Sequence, residues 1–298
     1  MCSFSGSDSW VILSPIELSI KRKIEAVGTP LKDWDIQINY GIKTGCNEAF
    51  IISGEKRNEI LANCQTKEER ERTAELIRPI LRGRDIKRYS AEFADLWLIW
   101  IPWHFPLHHD KTIKGVSLKA EEVFKVEYPS VYSHLLSHKS KLENRNKAET
   151  GIRYEWYALQ RWGAEYWEDF SKPKIVYPNM TKYMPFYLDM EGLLVNQKCF
   201  ILTGEDLSYL TAFFNSNVFK ICYREMFPEL QGGTRELSKI FFERIKVPPI
   251  DNLISYDFQI FVEDKQQGKD NADIRLEKAL IRSLNLEEYE EYIFKYNI

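Results

Sequence analysis

Apolar residues recur at helical spacing at Ile16, Ile20, Ile24 and Val27, which predicts an amphipathic helix near the start of the chain. Ser14-Pro15-Ile16-Glu17 marks its beginning as a capping box with proline at the first helical position, and Gly28 can close it. Short apolar runs at 36–40 and 49–53 predict two strands. The turn between them, Gly41-Ile42-Lys43-Thr44-Gly45-Cys46-Asn47, has two glycines that permit positive φ. A second capping box, Thr66-Lys67-Glu68-Glu69, leads a helix toward Ile77, and Pro79 and Gly83 interrupt the segment after it. Further strands are predicted at 97–101, 174–177, 185–188 and 199–202. Helices are predicted from Tyr128-Pro129, with Val131, Leu135 and Leu142 near one face, and through Leu207, Leu210, Phe214 and Val218. Another runs from Thr234 through Leu237 and Phe241 to Pro248-Pro249. Beyond Pro249 a polar stretch, 266–271, precedes helical segments at 272–283 and 287–295. Strands and helices mix without regular βαβ alternation. The expected fold class is therefore α+β, a mixed or antiparallel sheet with flanking helices. The expected division is an N-terminal remnant or linker (1–13), a main domain (14–250) and an acidic C-terminal helical segment (251–298).

Composition narrows this picture without deciding it. The 298 residues, 44% apolar and 29% charged, suffice for one large domain or two small ones. The net charge of −3 does not suggest nucleic acid, but the charge is uneven: −5 after Pro249-Ile250 and +2 before. Aromatics, at 14%, serve either a ring-rich core or a surface that stacks on a ligand. Five cysteines (Cys2, Cys46, Cys64, Cys199, Cys222) stand far apart, so a disulfide framework or zinc site is not expected and a reducing cytoplasm fits. No apolar run approaches a membrane span of about 20 residues, and residues 1–9 lack the charged and apolar regions of a signal peptide. Those nine residues form no recognisable domain entry, which suggests a truncated or split product.

The motifs of several catalytic classes are missing. Gly41-x-x-x-Gly45 lacks the lysine and Ser/Thr of a phosphate loop and the spacing of a dinucleotide fingerprint. There is no Gly-x-Ser-x-Gly elbow and no Asn-Pro-Pro-Tyr; Tyr177-Pro178-Asn179-Met180 is only superficially similar. The paired carboxylates and lysine of a metal-dependent nuclease are absent too, and Glu121-Glu122 and Glu263-Asp264 read as solvated faces. A minor alternative is a metal-dependent hydrolase using His104, His108, His109 and Asp110. Pro102 and Pro106 argue against the continuous helix that would align those histidines.

Four stretches carry candidate chemistry of another kind. From Arg78 to Tyr89 there are five cations in twelve residues, and Gly83 allows close approach. Here Arg82, Arg84, Lys87 and Arg88 are candidate phosphate contacts; the plainer reading is a charged connecting loop. In the stretch 153–162, Arg153, Gln160 and Arg161 interleave with aromatics, a mixture that reads base edges or lines a core. Asn179 and Lys182 lie in a polar loop between strands. Gln231 and Arg235 flank Gly232-Gly233 at an expected helix N-terminus, a geometry suited to phosphate or to an ordinary turn. The Gly41–Asn47 turn answers a backbone need, leaving Lys43 and Thr44 as its candidate DNA contacts.

Eight segments, in order, resemble a known family. They are Gly28-Thr29-Pro30-Leu31-Lys32-Asp33-Trp34, the turn from Gly41 into Glu48-Ala49-Phe50, Leu81-Arg82-Gly83-Arg84-Asp85-Ile86, and Tyr128-Pro129 with its helix. Then come Trp156-Tyr157, Lys172-Pro173-Lys174-Ile175-Val176, Phe213-Phe214-Asn215-Ser216 and Ile245-Lys246-Val247-Pro248-Pro249. Together they resemble the TaqI-like C-terminal specificity (target-recognition) domain of type IIG restriction–modification enzymes, related to domains of type I specificity subunits. The resemblance implies sequence-specific recognition of double-stranded DNA, without membrane association. It implies that this chain positions a DNA methyltransferase and endonuclease, present in cis or in trans, and is not catalytic alone. S-adenosylmethionine and Mg²⁺ are then expected only in those modules, which are absent here. The alternative is a protein-interaction or specificity-subunit remnant without its own DNA binding. In that case the C-terminal Leu280, Leu284, Leu286, Tyr289 and Phe294 would supply the docking surface.

Overall fold

The computed structural model describes residues 13–250 and 252–296, with only the backbone considered for 252–256. The expected N-terminal remnant, with Cys2, lies outside the described residues apart from Leu13. The fold is α+β. Strands Tyr187–Asp189, Lys174–Pro178, Cys199–Gly204 and Ile36–Tyr40 form, in that order, a wholly antiparallel sheet. A second sheet orders Leu194–Val195, Ile77–Leu81, Leu96–Ile99 and Ile51–Ser53; its first pair is parallel and the others antiparallel.

The first sheet divides the molecule into two apolar cores. Side chains alternate across a strand, and its inner strands are apolar on both faces. Phe200, Leu202, Ile175 and Tyr177 enter one core, while Cys199, Ile201 and Val176 enter the other. This explains the unbroken apolar run at 199–202, which a half-solvated strand would not carry. The second core also takes the second sheet and the aromatic segment around Trp156-Tyr157.

The second core also takes helices Leu118–Glu127 and Pro129–Leu136, and the first takes the N-terminal helix and those after residue 206. Pro15–Val27 begins with the expected capping box: Glu17 N donates to Ser14 Oγ at 3.3 Å and Ser14 N donates to Glu17 Oε2 at 2.6 Å. Ser14→Ala is expected to lower stability by about 1 kcal/mol, the usual worth of an N-cap, as measured by urea unfolding. The second box is half formed. Thr66 caps Glu69 N, but the Glu69 carboxylate accepts from Gln65 N and Ser130 N. The helix through Leu207, Phe214 and Val218 is two helices, Leu207–Asn215 and Asn217–Tyr223. Asn215, at the break, exchanges hydrogen bonds with both backbone groups of Phe186, and Ser216 caps the next helix.

The C-terminal segment shares this core. Helix Asn252–Gln266, which periodicity did not reveal, and helix Ala272–Ser283 pack on Leu207–Asn215. Leu280, Leu284 and Leu286 are buried and Tyr289 is half-buried against the body; of the proposed docking residues only Phe294 is exposed. That corrects the docking alternative, because its apolar surface is already covered.

Candidate nucleic-acid interface

The basic loop leaves the second sheet after Leu81 and is fastened at once. Arg82 grips Asp85 through Nε (2.9 Å) and Nη2 (2.7 Å), and its backbone N–H donates to the same carboxylate at 2.8 Å. Burial opposes the charge on Asp85, but the bonds from Arg82 outweigh it and hold the carboxyl below its usual range. Arg82 therefore closes the turn Gly83–Asp85, with its Nε and Nη2 committed to Asp85, which changes its expected role from contact to support. The turn presents Arg84, exposed and without a side-chain hydrogen bond or ion pair among the described residues. Lys87 is exposed near Glu92 (3.4 Å), and Arg88 donates to the Asn215 carbonyl at 2.9 Å.

Arg84 stands at a cavity of about 710 Å³ whose walls include Asn47, Gly83, Met180, Asn196 and Lys198. Parts of three candidate stretches thus meet there. A turn that sequence reasoning passed over, Asn196-Gln197-Lys198, joins them. Asn196 N donates to Leu81 O, Gln197 N to Ile42 O, and Asn179 N to Lys198 O. Lys198 is exposed and its ammonium, like Arg84, has no partner among the described residues. Its signal in the sequence was a polar turn between two apolar strands. This packing also explains Gly41: a Cβ there would sit 2.0 Å from the Asn196 carbonyl oxygen. Only Gly45 of the two turn glycines has positive φ, at 75°.

The remaining candidates divide. Thr44 is buried and donates to Asn47 Oδ1 at 2.6 Å, and Gln160 is buried against Gly45. Arg235, 3% exposed, donates to the carbonyls of Arg224 and Phe227 and to the carboxylates of Glu225 and Glu229. These three side chains are committed inside the protein and do not face a ligand, contrary to expectation. No helix begins at Thr234; strand Arg235–Glu236 pairs with Met180–Thr181 there, and the helix starts only at Lys239 (Lys239–Phe242), which removes the expected helix N-terminus next to Gly232-Gly233. The pairing does bring Gln231, exposed, and Lys182, exposed, onto neighbouring loops, with Lys182 4.0 Å from the position of a Cβ on Gly233. Asn179 is half-buried. Lys43 and Arg161 exchange backbone hydrogen bonds, and the Arg161 side chain is exposed. Arg153 is exposed, pairs with Glu149 and lies over the Trp103 ring.

Two other places look like sites and are not built as such. A cavity of about 470 Å³ beside Lys56, Glu59, Ser130 and His134 contains none of the candidate residues. The histidine cluster is structural. His104 Nδ1 lies 3.0 Å from the buried Glu155, and His108 stacks on Phe105. Among the described residues no three potential ligands are placed to hold a metal ion, and no helix is long and apolar enough to cross a membrane. Burial, helped by the neighbouring His109, pushes His108 down to about 4 from an ordinary value of 6.5. The unfolded chain takes up this proton first, so stability falls as pH drops from about 6.5 to 4. His108→Phe is expected to remove this part of the fall, measured by unfolding across that pH range.

Comparison with known proteins adds four likenesses. A model of the TaqI-like C-terminal specificity domain matches residues 78–247. The "Type II methyltransferase M.MjaIV" of Methanocaldococcus jannaschii is 22% identical over 273 residues, covering 86% of this chain and 81% of that protein. The solved type IIG restriction endonuclease BpuSI matches in fold over 93% of this chain, with a TM-score of 0.51 and 14% identity. The type IIL restriction–modification enzyme MmeI, solved in complex with DNA, gives 0.47 and 11% over 87% of this chain. The chain spans 33% and 35% of those two solved chains.

Proposed function

The chain belongs to the TaqI-like C-terminal specificity domain family, and from that premise we propose that it is the DNA target-recognition module of a restriction–modification system. In this reading duplex DNA lies along the cavity at the Gly83–Asp85 turn. Arg84, Lys87 and Lys198 contact phosphates and fix the register. Asn196 and Gln231 face base edges, and Arg161 and Lys43 extend the polar surface beside the Asn196 turn. Methylation and cleavage belong to a methyltransferase and an endonuclease module, in the same chain or in another. S-adenosylmethionine and Mg²⁺ would act in those modules. The absence from this sequence of the motifs of either chemistry supports that division.

One observation carries the reading. Two cations without a partner among the described residues, Arg84 and Lys198, are held at the rim of one groove by a clamp and a stitched turn. The test is duplex binding by the full chain as a function of salt. Affinity should fall linearly on a log–log plot, with a slope of about 0.9 per phosphate contacted. Absence of binding at low salt, with and without a partner methyltransferase, would overturn the reading.

A further inference from the structure

A second cationic site lies where the basic loop, the 180–184 loop and helix Asn217–Tyr223 meet. Arg88, Lys182, Lys220 and Arg224, with Tyr183 and Met184, line a cavity of about 150 Å³. This is below the roughly 300–1,000 Å³ of small-molecule pockets and suits a tetrahedral anion. The charge there is only partly balanced. Arg88 lies 3.8 Å from Asp273, and Arg224 donates to Glu225, whose carboxylate also serves Arg235. Lys182 and Lys220 have no carboxylate partner within salt-bridge distance among the described residues. Lys220 is half-buried with no side-chain hydrogen bond there. Burial, and then Arg88 and Arg224 beside it, hold its ammonium below the usual lysine range, although Glu277 pulls the other way. Unpaired cations crowded in a partly dry recess are costly unless an anion joins them. The backbone on both sides is also unusual. Tyr89 (φ 62°) and Met184 (φ 50°), next to the cation-bearing segments, adopt the left-handed region that bulky residues avoid.

We propose that this pocket binds a phosphoryl oxyanion, held by Lys220, Arg224, Arg88 and Lys182. Exposed Tyr183, at the mouth, offers a face for the sugar or base attached to it. The occupant is a phosphodiester of the DNA backbone; that identity, unlike the pocket itself, rests on the recognition reading. None of the sequence stretches pointed to Lys220 or Arg224, because both lie in a segment that reads as core helix.

The experiment uses the full chain and two probes. Inorganic phosphate, titrated by calorimetry against chloride at constant ionic strength, should bind saturably, and Lys220→Met should weaken it at least tenfold. Duplex DNA should bind Lys220→Met several-fold more weakly whatever its sequence, with a salt slope smaller by about one. Lys182→Gln, at an exposed position, repeats both readouts should Lys220→Met fail to fold. Loss in both arms identifies a DNA phosphate. Loss of phosphate with duplex affinity unchanged supports the pocket but assigns it a free phosphoryl anion. Saturable phosphate binding by a chain that binds no duplex overturns the recognition reading and leaves the pocket standing. A folded variant that matches the wild type in both arms overturns the pocket.

Discussion

Asp189→Ala is expected to cost about 3–5 kcal/mol, enough to remove a fifth or more of the stability of an ordinary domain. Asp189 and Lys174 face each other across adjacent strands of the first sheet, both fully buried, with Nζ and Oδ2 2.5 Å apart. The pair is fully bonded. Lys174 also donates to the Phe170 carbonyl at 2.7 Å, and the carboxylate accepts from Glu191 N and Leu193 N. Those last two bonds fix the turn that leads to strand Leu194–Val195 and, beyond it, to Asn196 and Lys198. Removing the carboxylate leaves a buried ammonium, which burial already holds below the usual lysine range. The double variant Lys174→Met/Asp189→Leu is expected to recover most of the loss, since a buried pair contributes little over an apolar pair of like volume. Guanidinium unfolding of the two variants checks this. A single-variant cost below about 1 kcal/mol would show that the pair is not buried as described.

Arg84→Gln/Lys198→Gln is expected to weaken duplex binding on the order of a hundredfold or more at low salt. Each cation removed takes with it a charge-assisted hydrogen bond worth about 1.5–3 kcal/mol. The salt slope should drop by nearly two. Stability should barely change, because neither side chain has an ion pair or side-chain hydrogen bond among the described residues to lose. Arg82→Gln should behave in the opposite way. It breaks the clamp on buried Asp85 and lowers stability, and affects DNA only through the position of Arg84. Comparing the two variants by anisotropy and by thermal unfolding separates a contact residue from the residue that positions it.

Much of the fold was legible because its signals are local. The Ser14 capping box, the apolar run at 199–202 and the helix at 272–283 all formed where spacing and capping chemistry placed them. The site was less legible, for a physical reason. Sequence reports that a cation is present, not what it faces. Arg82, Arg84 and Arg235 read alike as candidates, yet Arg82 meets Asp85 three residues on, and Arg235 meets carbonyls and carboxylates brought in by a strand pairing with Met180–Thr181. Likewise Thr44 donates to Asn47 within its own turn, and Gln160 is buried against Gly45. Several segments that carry the family resemblance turn out to be structural devices: Asn215 on Phe186, Lys174 on Asp189, Gly41 against Asn196. They specify the scaffold. Of the two groove cations without a partner among the described residues, Arg84 lies on the turn inside one such segment and Lys198 on a turn between segments.

Whether this scaffold reads a DNA sequence is tested most directly by selection. The purified full chain, alone and with a partner methyltransferase, is offered a pool of randomised duplexes at moderate salt. One defined motif should be enriched, with each mismatched base pair costing about 1–3 kcal/mol. A folded chain that retains duplexes without enriching any motif, in both conditions, would contradict sequence recognition.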